Sequence, residues 1–261
     1  MDKRIAIIVP CYNEELRFPI QYWKEIVRTE NEIKWLFIDD GSSDRTLEIL
    51  QDVCVGTPSR VSKCSKNRGK GNAIRKGFLD TLEMDPEIEV LGYLDSDGAF
   101  SKDDIFRLAN IAVQRISSSM TQPTDAVISS RVSLSGREIK RKSSRHYLGR
   151  LIATLLTRKW NDAPYDTQSG YKLFLNSRSF RDAIKSDFST RWFVDVEILT
   201  RIGINNKGIL NVWEEPLFYW NDVAGSKLNF MKFHSILLEL LIARRQVLKL
   251  LKERDNRIGS H

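Results

Sequence analysis

Short, wholly apolar runs return along the first half of the chain, with longer amphipathic stretches between them. Strands are read at Ile5–Val9, Trp35–Ile38, Val90–Leu94 and Ala126–Ser129, with a weaker one near Arg60–Lys63. Helices are read around Tyr22–Arg28, Asp44–Val53, Asn72–Leu82 and Asp103–Ile116. A strand that is apolar on both sides has to be covered on both sides, and the intervening helices supply the cover. The alternation therefore predicts an α/β fold, a mostly parallel central sheet flanked by helices.

Beyond residue 131 the pattern changes. Ser133–Arg145 is a long polar connection crowded with Arg137, Lys140, Arg141, Lys142 and Arg145. His146–Trp160 is apolar at helical spacing, and the stretches 169–174 and 209–220 read as further strands. Phe230–Lys252 reads as a long amphipathic helix whose polar face carries Arg244, Arg245, Lys249 and Lys252. The net charge of +7 points to an anionic partner: nucleic acid, lipid headgroup or phosphorylated substrate. Hydrophobic residues at 41% and charged ones at 29% describe a globular chain rather than a disordered one. No apolar run approaches the roughly 18–20 residues that span a bilayer, and the N-terminal apolar run is too short for a signal peptide. Cys11, Cys54 and Cys64 lack the paired spacing of a disulfide framework or a zinc site. A cytoplasmic location is the expectation.

The predicted strands end in acidic or polar segments: Pro10 to Glu14, Asp39 to Asp44, and Asp95 to Gly98. Open parallel sheets bind ligands beyond the carboxyl ends of their strands. Taken singly, each segment also makes good turn and cap material. Asp95 and Asp97 would lie about 6–7 Å apart on one side of an extended segment. Two converging carboxylates are costly unless a cation lies between them. A hard divalent ion, Mg2+ or Mn2+, fits oxygen ligands of this kind and bridges them to phosphates. The stretch KNRGKGNAIRKGF, residues 66–78, places glycines before a helix start with Arg68 and Lys70 interleaved, which suits an anion. Its spacing is not that of a Walker A loop. Acidic strand ends would repel a nucleic-acid backbone, so that partner is set aside.

These segments carry a resemblance. IIVPCYNEE, FIDDGSSDRT, NRGKGNAIRKGF, YLDSDGA and the SSR of 129–131 resemble family 2 glycosyltransferases of the GT-A fold. DTQSGYKLF (166–174), RWFVDVEIL (191–199) and AGSKL (224–228) look like the dolichyl-phosphate β-glucosyltransferase and polyprenyl-phosphate mannosyltransferase branch. The resemblance implies a catalytic domain over 1–225, with a nucleotide-binding half to about 130 and an acceptor half beyond. A C-terminal amphipathic helical extension follows over 226–261. It implies that Pro10, Tyr12, Glu14, Asp40 and Lys70 contact the nucleotide, that Asp95 and Asp97 bind the metal, and that Gln168 faces the donor. Arg131, Arg145, Lys172 and Trp192 are assigned to the acceptor side. DTQSGYK stands where relatives carry DTQCGFK, and the membrane anchor common in this branch has no counterpart here.

The activity implied is metal-dependent, inverting transfer of a hexose, glucose from UDP-glucose in the first instance, to a polyprenyl or dolichyl phosphate. The catalytic set is Asp97, Arg131 and Asp195. The protein would sit peripherally at the cytoplasmic face of a membrane, through segment 137–145 and helix 230–252. The alternative is a family 2 enzyme acting on a saccharide or other hydroxyl in cell-surface polysaccharide synthesis. A hydroxyl needs a general base, with Asp195 as candidate, whereas Asp195 is also placed as a helix-start carboxylate beside Arg191. His146 and His234, in apolar helical surroundings, are read as structural. Trp213, Phe218, Tyr219 and Trp220 are read as core.

Overall fold

The computed structural model describes residues 5–29, 33–117, 124–140, 163–191, 193–221 and 233–258. Seven strands form one sheet in the order β3-β2-β1-β4-β7-β5-β8. They are β1 (Ile5–Cys11), β2 (Ile33–Asp39), β3 (Arg60–Lys63), β4 (Val90–Leu94), β5 (Ala126–Ser130), β7 (Tyr171–Leu175) and β8 (Val212–Pro216). β7 runs antiparallel to both β4 and β5, whereas the other pairings are parallel. The register Leu94↔Tyr171 places the start of β7 on the rim where β4 ends. One reversed strand therefore brings the segment before Tyr171 to the carboxyl ends of its neighbours.

The period of two decides which helix covers which face. Ala6, Ile8, Leu36, Ile38, Leu91, Tyr93, Ile128 and Phe174 form one core with α3 (Lys70–Met84), α5 (Arg178–Ala183), α6 (Val194–Asn205) and α7 (Phe233–Ile258). Ile5, Ile7, Val9, Trp35, Phe37, Val90, Leu94, Val127 and Leu173 form the other with α1 (Ile20–Arg28), α2 (Thr46–Cys54) and α4 (Lys102–Ser117). The expected elements of the first half are all present. α7 reaches Ile258, past the expected end at Lys252. His146–Trp160 lies outside the described residues, as does the side chain of His234.

Two expectations are corrected. Part of the polar connection after Ser133 is a strand, β6 (Glu138–Lys140), which pairs in parallel with β9 (Tyr219–Asn221). Trp220 is buried, but Trp213, Phe218 and Tyr219 are exposed, because β8 is an edge strand and β9 sits outside the main sheet. Arginines cover the rings instead: Arg115 lies 3.2 Å from the Trp213 ring centroid, and Arg137 and Arg107 lie 3.7 and 4.3 Å from that of Phe218.

α3 approaches the sheet most closely at Gly77, where a Cβ would collide with the Ile8 side chain. Gly77→Val should therefore lower stability by about 1–3 kcal/mol, the usual cost of overpacking a core. Chemical denaturation reads the loss, and a variant as stable as the parent would show that α3 has room to retreat.

Candidate active site at the carboxyl rim of the sheet

Four parallel strands end on one rim, at Cys11, Asp39, Leu94 and Ser130, and Gln168 to Gly170 enter it ahead of β7. The turn after β1 is clipped to the turn after β2. Asn13, at φ 48°, donates its N–H to Ser42 Oγ (3.0 Å) and accepts from Ser43 N–H (3.0 Å). Glu14 N–H donates to Thr46 Oγ1 at 2.7 Å. The carboxylate of Glu14 is buried and occupied by Arg17, so this residue acts inside the turn. Pro10 and Tyr12 are half-buried on the same segment.

Asp40 is expected to meet the nucleoside, but its oxygens accept from Arg68 N–H (3.0 Å) and Gly69 N–H (2.8 Å). Burial raises its pKa against those two bonds. Asp40 thus anchors the 66–69 loop. Gly41, at φ 71°, leaves that loop room, since a Cβ there would lie 2.6 Å from the Lys66 carbonyl carbon. The preceding Asp39 is fully buried; one oxygen accepts from Ser42 N–H (2.9 Å) and the other has no hydrogen-bond partner. Ser130 Oγ, Thr167 Oγ1 and Gln168 Nε2 are likewise buried without partners. Buried polar atoms rarely stay so, and these four belong to strand ends and the turn before β7.

Beyond Leu94 the chain turns instead of continuing as a strand, so Asp97 is carried by a turn that closes at Gly98. α1 holds that turn through Trp23 Nε1–H to Ser96 O (2.8 Å) and Tyr22 O–H to Phe100 O (2.9 Å). Burial and the charge of Asp95 push the Asp97 carboxyl up, against Ala99 N–H, Lys70 and Arg17. That is the mark of converging carboxylates short of positive charge. Asp95 is held in place: its N–H donates to Gly170 O (3.0 Å), and a Cβ at Gly170 would collide with Asp95 Oδ2. Its other oxygen receives the Lys70 ammonium at 2.6 Å.

A buried ion pair lies beneath. Lys172, on β7 opposite Tyr93 of β4, has no exposed surface and meets Asp195 Oδ1 at 2.6 Å and the Ser169 carbonyl. Asp195, in the first turn of α6, also accepts from Tyr93 O–H. Burial pushes the Asp195 carboxyl up, but Lys172, Lys70 and the two hydrogen bonds outweigh it and hold it below the usual range. A sealed carboxylate with a depressed pKa makes a poor proton acceptor, which corrects the expectation of a general base. Lys172 has no surface with which to touch an acceptor. Arg131 lies nearer the opening, with Nε and Nη2 both 2.7 Å from the Asp166 carboxylate and the guanidinium 5.1 Å from the Trp220 ring centroid. Glu214 seats Asp166 by accepting its N–H at 2.7 Å. Arg145 and Trp192 lie outside the described residues.

Sequence reasoning placed Asp39 only among the acidic strand ends and passed over Tyr93, Asp166 and Gly170. A signal existed for Tyr93, two residues before Asp95 and hence on the same face of the chain; the rest needed the fold. Among the described residues no cluster of three or more His, Cys, Asp and Glu could hold a metal alone. Asp95 and Asp97 are hard oxygen donors close enough to raise one another's cost of ionisation, and they fit a divalent cation whose other ligands are phosphate oxygens and water.

Asp195→Asn should leave Lys172 buried without a counter-charge and cost about 3–5 kcal/mol. Adding Lys172→Met should recover much of that loss. A thermal-melt series over the two singles and the double checks this, and additive losses would show that the two groups do not depend on each other.

Residues 6–182 match the family Glycosyl transferase family 2. Dolichyl-phosphate beta-glucosyltransferase of Saccharomyces cerevisiae is 31% identical over 247 residues, covering 86% of this chain and 69% of its own length. The human enzyme of the same name is 28% identical over 87% of this chain and 70% of its own. One from Trichomonas vaginalis is 29% identical over 92% and 74%. Among solved structures, glucosyl-3-phosphoglycerate synthase of Mycobacterium tuberculosis, in complex with Mn2+, uridine diphosphate and phosphoglyceric acid, superposes with TM-score 0.60 and 16% identity. It covers 95% of this chain and 78% of that one. At that identity the likeness is one of fold. With two thirds of its length matched by the family and the acidic rim in place, the chain belongs to glycosyl transferase family 2.

Proposed function

We propose that the protein transfers glucose from UDP-glucose to a dolichyl-type polyprenyl phosphate, inverting the anomeric centre. The observation that carries the choice of acceptor is the sealed Asp195–Lys172 pair, taken with the similarity to dolichyl-phosphate beta-glucosyltransferases along most of the chain. A hydroxyl acceptor must lose its proton to a base within reach, and Asp195 is buried, paired and depressed. A phosphate monoester, with a second pKa near 6, is largely ionised at neutral pH and needs positioning more than deprotonation.

The donor's base and ribose would lie over β1 and β2, against Pro10 and Tyr12, with Asp40 holding the loop that carries Lys70. Gln168 would face the sugar side. Asp95 and Asp97 would hold Mg2+ or Mn2+, which as a Lewis acid would take up charge developing on the leaving diphosphate. Arg131, locked by Asp166, would present its guanidinium to the acceptor phosphate, with Arg145 as the proposed second cation. The transition state would resemble an oxocarbenium ion.

Among the described residues no helix is long and apolar enough to cross a membrane. We place the protein at the membrane surface through segment 137–145 and α7. Leu238 and Leu241, 63% and 55% exposed, share the outer side of α7 with Arg244, Arg245, Lys249 and Lys252. Each basic residue near an anionic bilayer contributes about 1 kcal/mol. Co-sedimentation with phosphatidylserine vesicles should fall on adding salt and on Leu241→Asp; binding unaffected by both would remove the helix from the interface.

The deciding assay presents UDP-glucose and Mg2+ with a polyprenyl phosphate and, separately, with the matching free alcohol. Transfer is expected to the phosphate alone. Asp97→Ala should lower turnover by at least about a hundredfold, the scale on which electrostatic stabilisation of a leaving group is removed. Glucosylation of the alcohol but not the phosphate would sink the proposed acceptor.

A further inference from the structure

Lys70 is the first residue of α3, and the first turn of that helix holds no acidic residue. A cation at a helix N-terminus opposes the macrodipole, so helix stability does not explain a lysine there. The preceding Gly69, at φ 87°, supplies no side-chain cap. The carboxylates facing the ammonium do explain it. Lys70 Nζ sits 2.6 Å from Asp95 Oδ1 and 5.5 Å from the Tyr93 ring centroid.

The two partners differ in freedom. Asp95 is fixed by its N–H bond to Gly170 O and by Gly170 packed against Oδ2. Lys70 stands on a four-carbon stem with three rotatable donors. Both side chains are 34% exposed, so the pair lies at the opening of the site. The carboxylate that holds Lys70 is also one of the two that fit a divalent cation. An ammonium on Oδ1 and a dication on the same carboxylate repel each other, and of the two cationic partners Lys70 is the one able to move. Asp195 offers it little, being taken by Lys172 and Tyr93. The anion that a donor brings to the rim is its diphosphate.

We infer that Lys70 is an exchangeable counter-ion: it neutralises Asp95 in the absence of metal and moves to the diphosphate when cation and nucleotide enter together. This rests on the reading of Asp95 and Asp97 as cation ligands and deepens it. The exchange makes cation and nucleotide binding interdependent. A cation arriving alone must displace Lys70 with no anion to receive it. A nucleoside diphosphate arriving with the cation supplies that anion. By thermodynamic linkage, each then strengthens the other equally.

The test is a Mn2+ titration of the full chain followed by electron paramagnetic resonance, with and without UDP. For the parent protein, Mn2+ should bind weakly alone and more tightly with UDP. Lys70→Met should bind Mn2+ alone about tenfold more tightly, as expected on removing one partly exposed competing charge, and the gain from UDP should shrink. Lys70→Arg keeps the charge and should retain weak Mn2+ binding in the absence of UDP. Circular dichroism of both variants reports folding. Mn2+ binding to Lys70→Met no tighter than to the parent overturns the exchange, as does a Lys70→Arg variant that behaves like Lys70→Met. No Mn2+ bound by any of the three, even with UDP, overturns the exchange together with the ligand reading beneath it. Because no acceptor is present, failure of transfer to a polyprenyl phosphate, with the Mn2+ pattern intact, would remove the proposed acceptor and leave the exchange standing.

Discussion

The meeting of Lys172 with Asp195 is the contact on which the site's geometry depends. It joins β7 to the first turn of α6, and Tyr93 adds β4 to the same carboxylate. Taking two charges out of water costs several kcal/mol per ion before their attraction is counted. A leucine and a methionine would fill the space at less cost, so stability alone does not account for the pair. What it does is orient. Lys172 faces Tyr93 across the β4–β7 ladder, and two residues further along each strand the same ladder brings Asp95 to Gly170. A slip of the β4–β7 register would therefore break the ion pair and move the rim carboxylate together.

Charge is distributed around the rim in two layers. The lower layer, Asp195 with Lys172, is sealed and balanced. The upper layer, Asp95 and Asp97 with Lys70, is open and carries one more negative than positive charge among those three groups. Asp97 shows the imbalance in its raised pKa. For the dication and diphosphate proposed above, an excess that is small and reachable is the useful one. A larger excess would have to be neutralised by protonation, and none at all would leave the cation unheld. Arg131, proposed for the acceptor side, is held differently. Arg131 is fixed bidentately by Asp166, which is itself seated by Glu214, so the guanidinium is positioned before any ligand arrives.

Much of the fold was legible because its signals are local. The apolar runs at Ile5–Val9 and Val90–Leu94 announce buried strands, and their alternation with amphipathic stretches announces helices on both faces. The acidic strand ends were legible for the same reason: Asp39 and Asp95 each follow an apolar run directly, with Asp40 and Asp97 one and two residues on. Trp213, Phe218 and Tyr219 were misjudged because a ring's burial depends on what lies across from it. Among the described residues β8 is the edge strand of the sheet, a fact of strand order that composition does not carry.

The sequence by itself determined the strand and helix content, the two-faced core, and the gathering of carboxylates at strand ends, since each follows from residue type and spacing within a few positions. Tertiary structure alone decided that β7 runs backwards and delivers Gln168, Ser169 and Gly170 to the rim. It also decided that Asp195 is sealed by Lys172 instead of free to take a proton, and that Asp40 holds a loop while Asp39 keeps an unpartnered oxygen. Those outcomes join residues far apart in the chain, such as Lys172 with Asp195, 23 positions on, and Tyr93 with Lys172, 79 positions on. A carboxylate's role is set by which cation or N–H reaches it first, and only the packed chain settles that order.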